Sequence, residues 1–307
     1  MRRLSSIAAL GLIAALVSPL SAQEPAPDTP EATADTPPQG MEIIVEGIRE
    51  KEEQVQAMTR QITRRARVDK PVSKFYSQVC IGVIGMTPDY ARTLIARMEE
   101  NARSVDLPVG GEGCQPNILI AFVKDGEQEL DELRKAEPKL FATLLDYEYD
   151  RIKRGNGAVR AWHGTQLKGK DGRDFTDSGM GDAPLNNQYS SSRLSKQVRV
   201  DMTGAIVIID SNRVPGKTLQ QLADYASMRA FVSIDDTSTG GASGIPTILS
   251  LFEEGTDAPD GMTTFDRAYL ETVYRLPATT NDSQIHDATW TMYRKLEGLP
   301  DIDGYDD

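Results

Sequence analysis

Apolar residues fall in short blocks between charged or turn-forming stretches, and the spacing inside each block names an element. Met41 to Val45 (MEIIV) is rich in β-branched residues and predicts a short strand ended by Gly47. Ile48 to Arg67 is charged and helical in composition. Val79 to Ile84 (VCIGVI) and Asn117 to Val123 (NILIAFV) are apolar runs of strand length and predict two buried strands. Between them, Thr87 as N-cap and Pro88 at the first helical position open a helix with Tyr90, Leu94, Ile95 and Met98 at helical spacing. Asp125 opens another through Leu130 and Leu133, resumed after Pro138 from Leu140 to Leu145. Val159 to Trp162 predicts a strand, and Lys168 to Tyr189 a polar, glycine-rich loop. Val198 to Met202 and Ala205 to Ile209 predict paired or successive strands turning at Gly204.

The remainder is mostly helical. Thr218 opens a helix with Leu219, Leu222, Ala226 and Ala230 along one side. Gly240 to Gly244 reads as a loop, and Pro246 to Phe252 as a short helix or turn. Thr264 to Leu276 is amphipathic through Phe265, Tyr269, Leu270, Val273 and Tyr274, and Asp282 to Leu296 predicts a last helix. Strands alternating with helices, then helices alone, predict an α+β fold: a mixed β-sheet flanked by helices, with a helical C-terminal half.

The two ends read differently. Residues 1–22 carry Arg2 and Arg3, an apolar run from Ile7 to Val17, and small residues Ser21 and Ala22 before Gln23. That is the anatomy of a cleaved secretory signal peptide, too short in its apolar run for a spanning helix. Residues 23–40 are proline-rich and acidic, without a large apolar residue, and predict a disordered linker. Residues 41–298 are expected to form a single α/β domain, and 299–307 an acidic tail.

Charge and composition then narrow the chemistry. The chain has 46 acidic and 34 basic residues, a net charge of -12, which argues against nucleic acid as partner. Two histidines and two cysteines exclude histidine-rich sites, four-cysteine zinc sites and cysteine-held iron–sulfur clusters. Cys80 lies near the start of the first predicted strand and Cys114 just before the second, and in an oxidising compartment a structural disulfide between them is expected. His163 and His286 have no histidine three or four residues away and read as surface or capped residues. No G-x-S-x-G elbow occurs, and Gly240 to Gly244 lacks the Lys of a phosphate loop. Asp171, Asp174, Asp177 and Asp182, and the run Asp301, Asp303 and Asp306, carry calcium-type oxygens without an EF-hand frame.

Two resemblances add to this, and a third concerns one phrase. Glu42 to Glu50 (EIIVEGIRE) resembles the opening strand of a TonB-dependent receptor plug and is read as an ordinary strand. The segment from Thr218 to Tyr274 resembles the second half of metzincin-type zinc peptidases, which carry an H-E-x-x-H helix, a methionine turn and a following helix. The corresponding stretches are QQLADYASM (Gln220 to Met228), PTIL (Pro246 to Leu249) and MTTFDRAYLETVY (Met262 to Tyr274), with Asp266 and Tyr274 at matching places. The resemblance implies a zincin-like fold. Gln220 and Asp224 stand where it would place zinc histidines, Gln221 where it would place the general base, and Leu249 replaces the methionine. Neutral amides do not build a catalytic zinc site, so no metal or cofactor is expected. VCIGVIG, CQPNILIAFV and QLADYASMR are similar to phrases in a group of uncharacterised exported alphaproteobacterial proteins, which implies a periplasmic or secreted protein of a Gram-negative bacterium.

Two functions follow. One is a non-catalytic exported binding or interaction protein, without a membrane span, whose cleft is lined by Gln220, Gln221 and Asp224 and takes a peptide, protein or polar ligand. The alternative is a secreted hydrolase using a carboxylate pair that sequence spacing does not identify.

Overall fold

The computed structural model describes residues 39–64, 70–142, 144–155, 157–175, 196–235 and 244–301. The predicted leader, the predicted linker up to residue 38 and the chain past Asp301 lie outside the described residues. The chain divides into one unit over residues 1–42 and another over 43–307, and the fold below is that of the second.

A four-stranded mixed sheet organises this α+β unit. β1 (Ile81–Ile84), β2 (Ile118–Val123) and β4 (Val198–Asp210) are parallel, and β3 (Val159–Gly169) runs antiparallel along β4, giving the order β1-β2-β4-β3. Side chains alternate between faces along each strand. Ile118, Ile120 and Phe122 of β2 and Ala205, Val207 and Ile209 of β4 enter the main core. There they meet α1 (Gln39–Ile62), α2 (Pro88–Ser104), α5 (Leu219–Phe231), α6 (Thr264–Arg275) and α7 (Asp282–Glu297). The opposite face, with Ala121, Trp162 and Ile208, is covered by α3 (Gly126–Ala136), a 3-10 turn at Pro138–Phe141 and α4 (Asp146–Arg154). Phe141 stacks on Trp162 at 4.9 Å, and Tyr149 meets Phe141 edge-on at 5.8 Å.

Three local expectations are corrected. MEIIV is not a strand: it lies within α1, which buries Ile48, Val55, Met58 and Ile62 in the core. Burial of that stripe outweighs the weak β-preference of one short segment. Gly204 does not turn the chain. β4 is one continuous strand, and a register shift between the Gly164–Gly204 and Thr165–Met202 pairs leaves Thr203 as a bulge. Gly204 has a packing role instead, since a Cβ there would lie 2.9 Å from the Asn117 carbonyl oxygen. No helix fills Leu140 to Leu145. The 3-10 turn ends at Phe141, and α4 starts at Asp146, burying only Tyr149 and Ile152, too few for the apolar period to stand out.

Other expectations hold closely. Asp125 caps α3 by accepting from the backbone N–H groups of Glu127 and Gln128. Pro88 opens α2, although Thr87 makes no side-chain cap bond. Cys80 and Cys114 are bonded, with their Cα atoms 6.0 Å apart, and tie the entry of β1 to the approach of β2. No helix of the described residues is long and apolar enough to cross a membrane.

Candidate functional site

α5 was the expected cleft wall, and its sequence explains why it is not one. Thr218 and Gln221 form a capping box: Gln221 Oε1 accepts from the Thr218 N–H at 2.9 Å, and Thr218 Oγ1 accepts from the Gln221 N–H at 3.1 Å. Gln221 Nε2 then donates to the Pro259 carbonyl at 2.8 Å. Asp224, three residues on, has no exposed surface. Its carboxylate accepts from Arg97 Nε (2.8 Å), Arg97 Nη2 (3.0 Å), Asn101 Nδ2 (2.7 Å) and the Met262 N–H (2.9 Å). That set joins α2, α5 and the segment before α6. It also holds the Arg97 guanidinium firmly charged, chiefly through its hydrogen bonds to Asp224.

Segment Pro259–Met262 thus lies against the N-terminal half of α5, where an open site was expected. Gly261 permits the approach: a Cβ there would lie 2.7 Å from both Asp224 Oδ2 and Gln220 Nε2. Gln220 is exposed, Gln221 is engaged as a cap, and Asp224 is sealed. The three side chains therefore do not line a common cleft. Every residue from Gln221 to Phe231 is buried, which makes α5 a core helix.

The two other residues matched by the zincin resemblance tie the same region together. Asp266 is fully buried and accepts four hydrogen bonds: from Thr247 Oγ1 (2.5 Å), the Ile248 N–H (2.8 Å), and the Thr263 N–H and Oγ1 (3.0 Å each). Burial nevertheless pushes its carboxyl above the usual range. Tyr274 Oη donates to the Phe231 carbonyl at 2.8 Å, fixing the end of α6 to the end of α5.

His163 is buried on β3, not at the surface. Nε2 lies 3.0 Å from the Ala230 carbonyl, Nδ1 has no hydrogen-bond partner, and burial lowers its pKa to about 4. His286, on α7, is partly buried and its pKa is lowered by burial and by Arg60. Of the acidic candidates, Asp171 pairs with Arg173, Asp174 with Lys168, and Asp301 with Arg294. Asp177, Asp182, Asp303 and Asp306 lie outside the described residues. Among the described residues, no group of three or more His, Cys, Asp or Glu side chains is placed to hold a metal ion.

The concavities lie elsewhere. One, of about 470 Å³, sits on the sheet face that α3, the 3-10 turn and α4 cover only in part. Leu119, Trp162 and Ile206 line it from the sheet, and Lys139 and Leu140 from the 3-10 turn. Register places Ile206 between Leu119 and Trp162 on neighbouring strands. A second, of about 550 Å³, is lined by Asp210, Arg213, Phe252, Glu253 and Glu254 among others. Its polar groups are engaged: Arg213 pairs with Glu254 at 3.0 Å, and Asp210 accepts from the Asn212 N–H at 2.8 Å. The first groove was not legible in the sequence. NILIAFV gave no sign that the α3–α4 layer stops short of Leu119.

Comparison with protein-family models, with curated proteins and with solved structures finds no match to this chain.

Proposed function

We propose that the chain is an exported, non-catalytic binding protein whose binding surface is the outer groove of the sheet. The observation that carries this reading is the commitment of Asp224 and Gln221 to internal bonds: Asp224 accepts from four donors, and Gln221 closes a cap. A general base or metal ligand must be free to meet substrate, and neither is. The order of α5, a second 3-10 turn at Ile248–Phe252 and α6, tied by Asp266 and Tyr274, supports a zincin-like scaffold that has no zinc chemistry. The signal-peptide pattern of residues 1–22 and the Cys80–Cys114 bridge support a periplasmic or secreted location in a Gram-negative bacterium. The likeness to exported alphaproteobacterial proteins points the same way.

The hydrolase alternative gains no support from the carboxyl groups. Asp266, whose pKa burial raises, is sealed in the core and lines neither groove. Zinc analysis of the dialysed mature protein, with a broad fluorogenic peptide panel, tests the reading. Substoichiometric zinc and no cleavage are expected. One zinc per chain supporting cleavage that a chelator abolishes would overturn it.

A further inference from the structure

The groove on the outer sheet face differs from the rest of this acidic protein in its charge. Among the described residues no Asp or Glu lines it. Its floor is Leu119 and Ile206, bordered by Trp162, which is only 1 % exposed, and Leu140, 42 % exposed, forms part of the wall. Lys139 is the one charged residue among the described residues of the lining. Among the described residues its ammonium makes no ion pair and no hydrogen bond, although the chain carries 46 acidic residues against 34 basic ones. Thr165 and Thr203 bring hydroxyls to the same lining, and no hydrogen bond engages either side chain among the described residues. Thr203 is there because the bulge on β4 places it outside the regular ladder. Asn117 is not available in the same way, since Oδ1 accepts from the Cys80 N–H and Nδ2 donates to the Gln78 carbonyl.

Such a lining selects a ligand with two parts. An apolar body of small-molecule size gains by covering Leu119, Ile206 and Leu140, and a volume of about 470 Å³ falls within the range of small-ligand sites. A single anionic group is favoured by the unpaired Lys139 and by hydroxyl donors, with no carboxylate among the described lining residues to repel it. A cationic amphiphile would meet Lys139 without a counter-ion. We infer that the groove binds a free medium-chain monocarboxylate, its tail over Leu119, Ile206 and Leu140 and its carboxylate at Lys139. This assignment rests on the proposed binding function and names its ligand class.

Decanoate, decanol and decylamine, which share one tail and differ in head charge, test it by titration calorimetry on the full mature chain. Decanoate should bind at one per chain, at least tenfold more tightly than decanol, with decylamine weakest. Lys139→Glu, a change at an exposed side chain, should cost decanoate at least tenfold and leave decanol within about twofold. Equal affinity for decanoate and decanol, or decanoate binding untouched by Lys139→Glu, would overturn the assignment. A fragment screen by NMR separates that failure from failure of the broader function. Perturbation of Leu119, Leu140 and Ile206 by neutral fragments or short peptides, with none by acids, overturns the monocarboxylate and keeps the binding groove. Perturbation of those residues by no class of compound overturns both.

Discussion

Asp224 of α5 and Arg97 of α2 form a two-pronged ion pair, Nε to Oδ1 at 2.8 Å and Nη2 to Oδ2 at 3.0 Å, with the carboxylate fully buried. Asn101 and the Met262 N–H complete its bonding. A buried charge of this kind is tolerated because its oxygens are satisfied, and it is costly to orphan. Arg97→Met should therefore destabilise the fold by about 3 kcal/mol, and Asp224→Asn by a comparable amount. Urea unfolding of both single variants and the double variant checks this. The double should lose clearly less than the sum of the singles, and simple additivity would contradict the coupling.

His163 gives the fold a defined acid sensitivity. Its pKa is about 4 in the fold against 6.5 for the free side chain, because burial disfavours the imidazolium and the Arg229 cation opposes it. The unfolded chain thus takes up the proton first. The stability from keeping His163 neutral is complete above about pH 6.5 and is lost as pH falls towards about 4, amounting to about 3 kcal/mol. In His163→Gln the loss of unfolding free energy between about pH 7 and about pH 4.5 should shrink by about 2–3 kcal/mol. An unchanged pH slope in that variant would show that the imidazole does not titrate as described.

Lys74 caps a helix from outside it. Its ammonium donates to the carbonyls of Val273 (3.1 Å), Tyr274 (3.0 Å) and Leu276 (2.6 Å), at the C-terminal end of α6 where the macrodipole favours a cation. Lys74→Met keeps the aliphatic stem and removes the donors. It should cost about 1–3 kcal/mol and release amide exchange in the last turn of α6 before other helices. Uniform exchange across α6 and α7 would argue against a local cap.

The Cys80–Cys114 bridge closes a loop with a sequence separation of 34. Loop entropy assigns it about 3–4 kcal/mol, so Cys80→Ala with Cys114→Ala should lower the urea midpoint without changing the far-ultraviolet spectrum of the folded state. Alkylation of the unreduced native protein should find no thiol. Two reactive thiols would refute the pairing in solution.

Export is checked by mass. Residues 1–22 predict cleavage before Gln23, and periplasmic protein from a Gram-negative host should begin there. An intact Met1 in that fraction would refute the leader.

Local sequence rules determined the elements whose physics is local. Ile81–Ile84 and Ile118–Val123 became strands within the two predicted runs because apolar, β-branched segments pair readily in a sheet, the first as a short edge strand with Ile84 exposed, and Asp125 and Thr218 capped helices through bonds within a few residues. The Cys80–Cys114 pair was legible because two cysteines allow one intramolecular pairing. Tertiary packing decided the rest. MEIIV joined a helix because α1 buries a stripe further along the same segment, and Gly204 stayed within β4 because it pairs with Gly164 of β3 while Ala205, next to it, is held by both Ile118 of β2 and His163 of β3. The fate of Asp224 depended on Arg97, distant in sequence, and on Gly261, whose lack of a Cβ lets its segment approach α5. The groove at Leu119 and Ile206 exists because α3 and α4 end short of that part of the sheet. Chain pattern records which side chains seek burial, but a cleft is set by how far one layer extends over another, a distance in space with no period in the sequence.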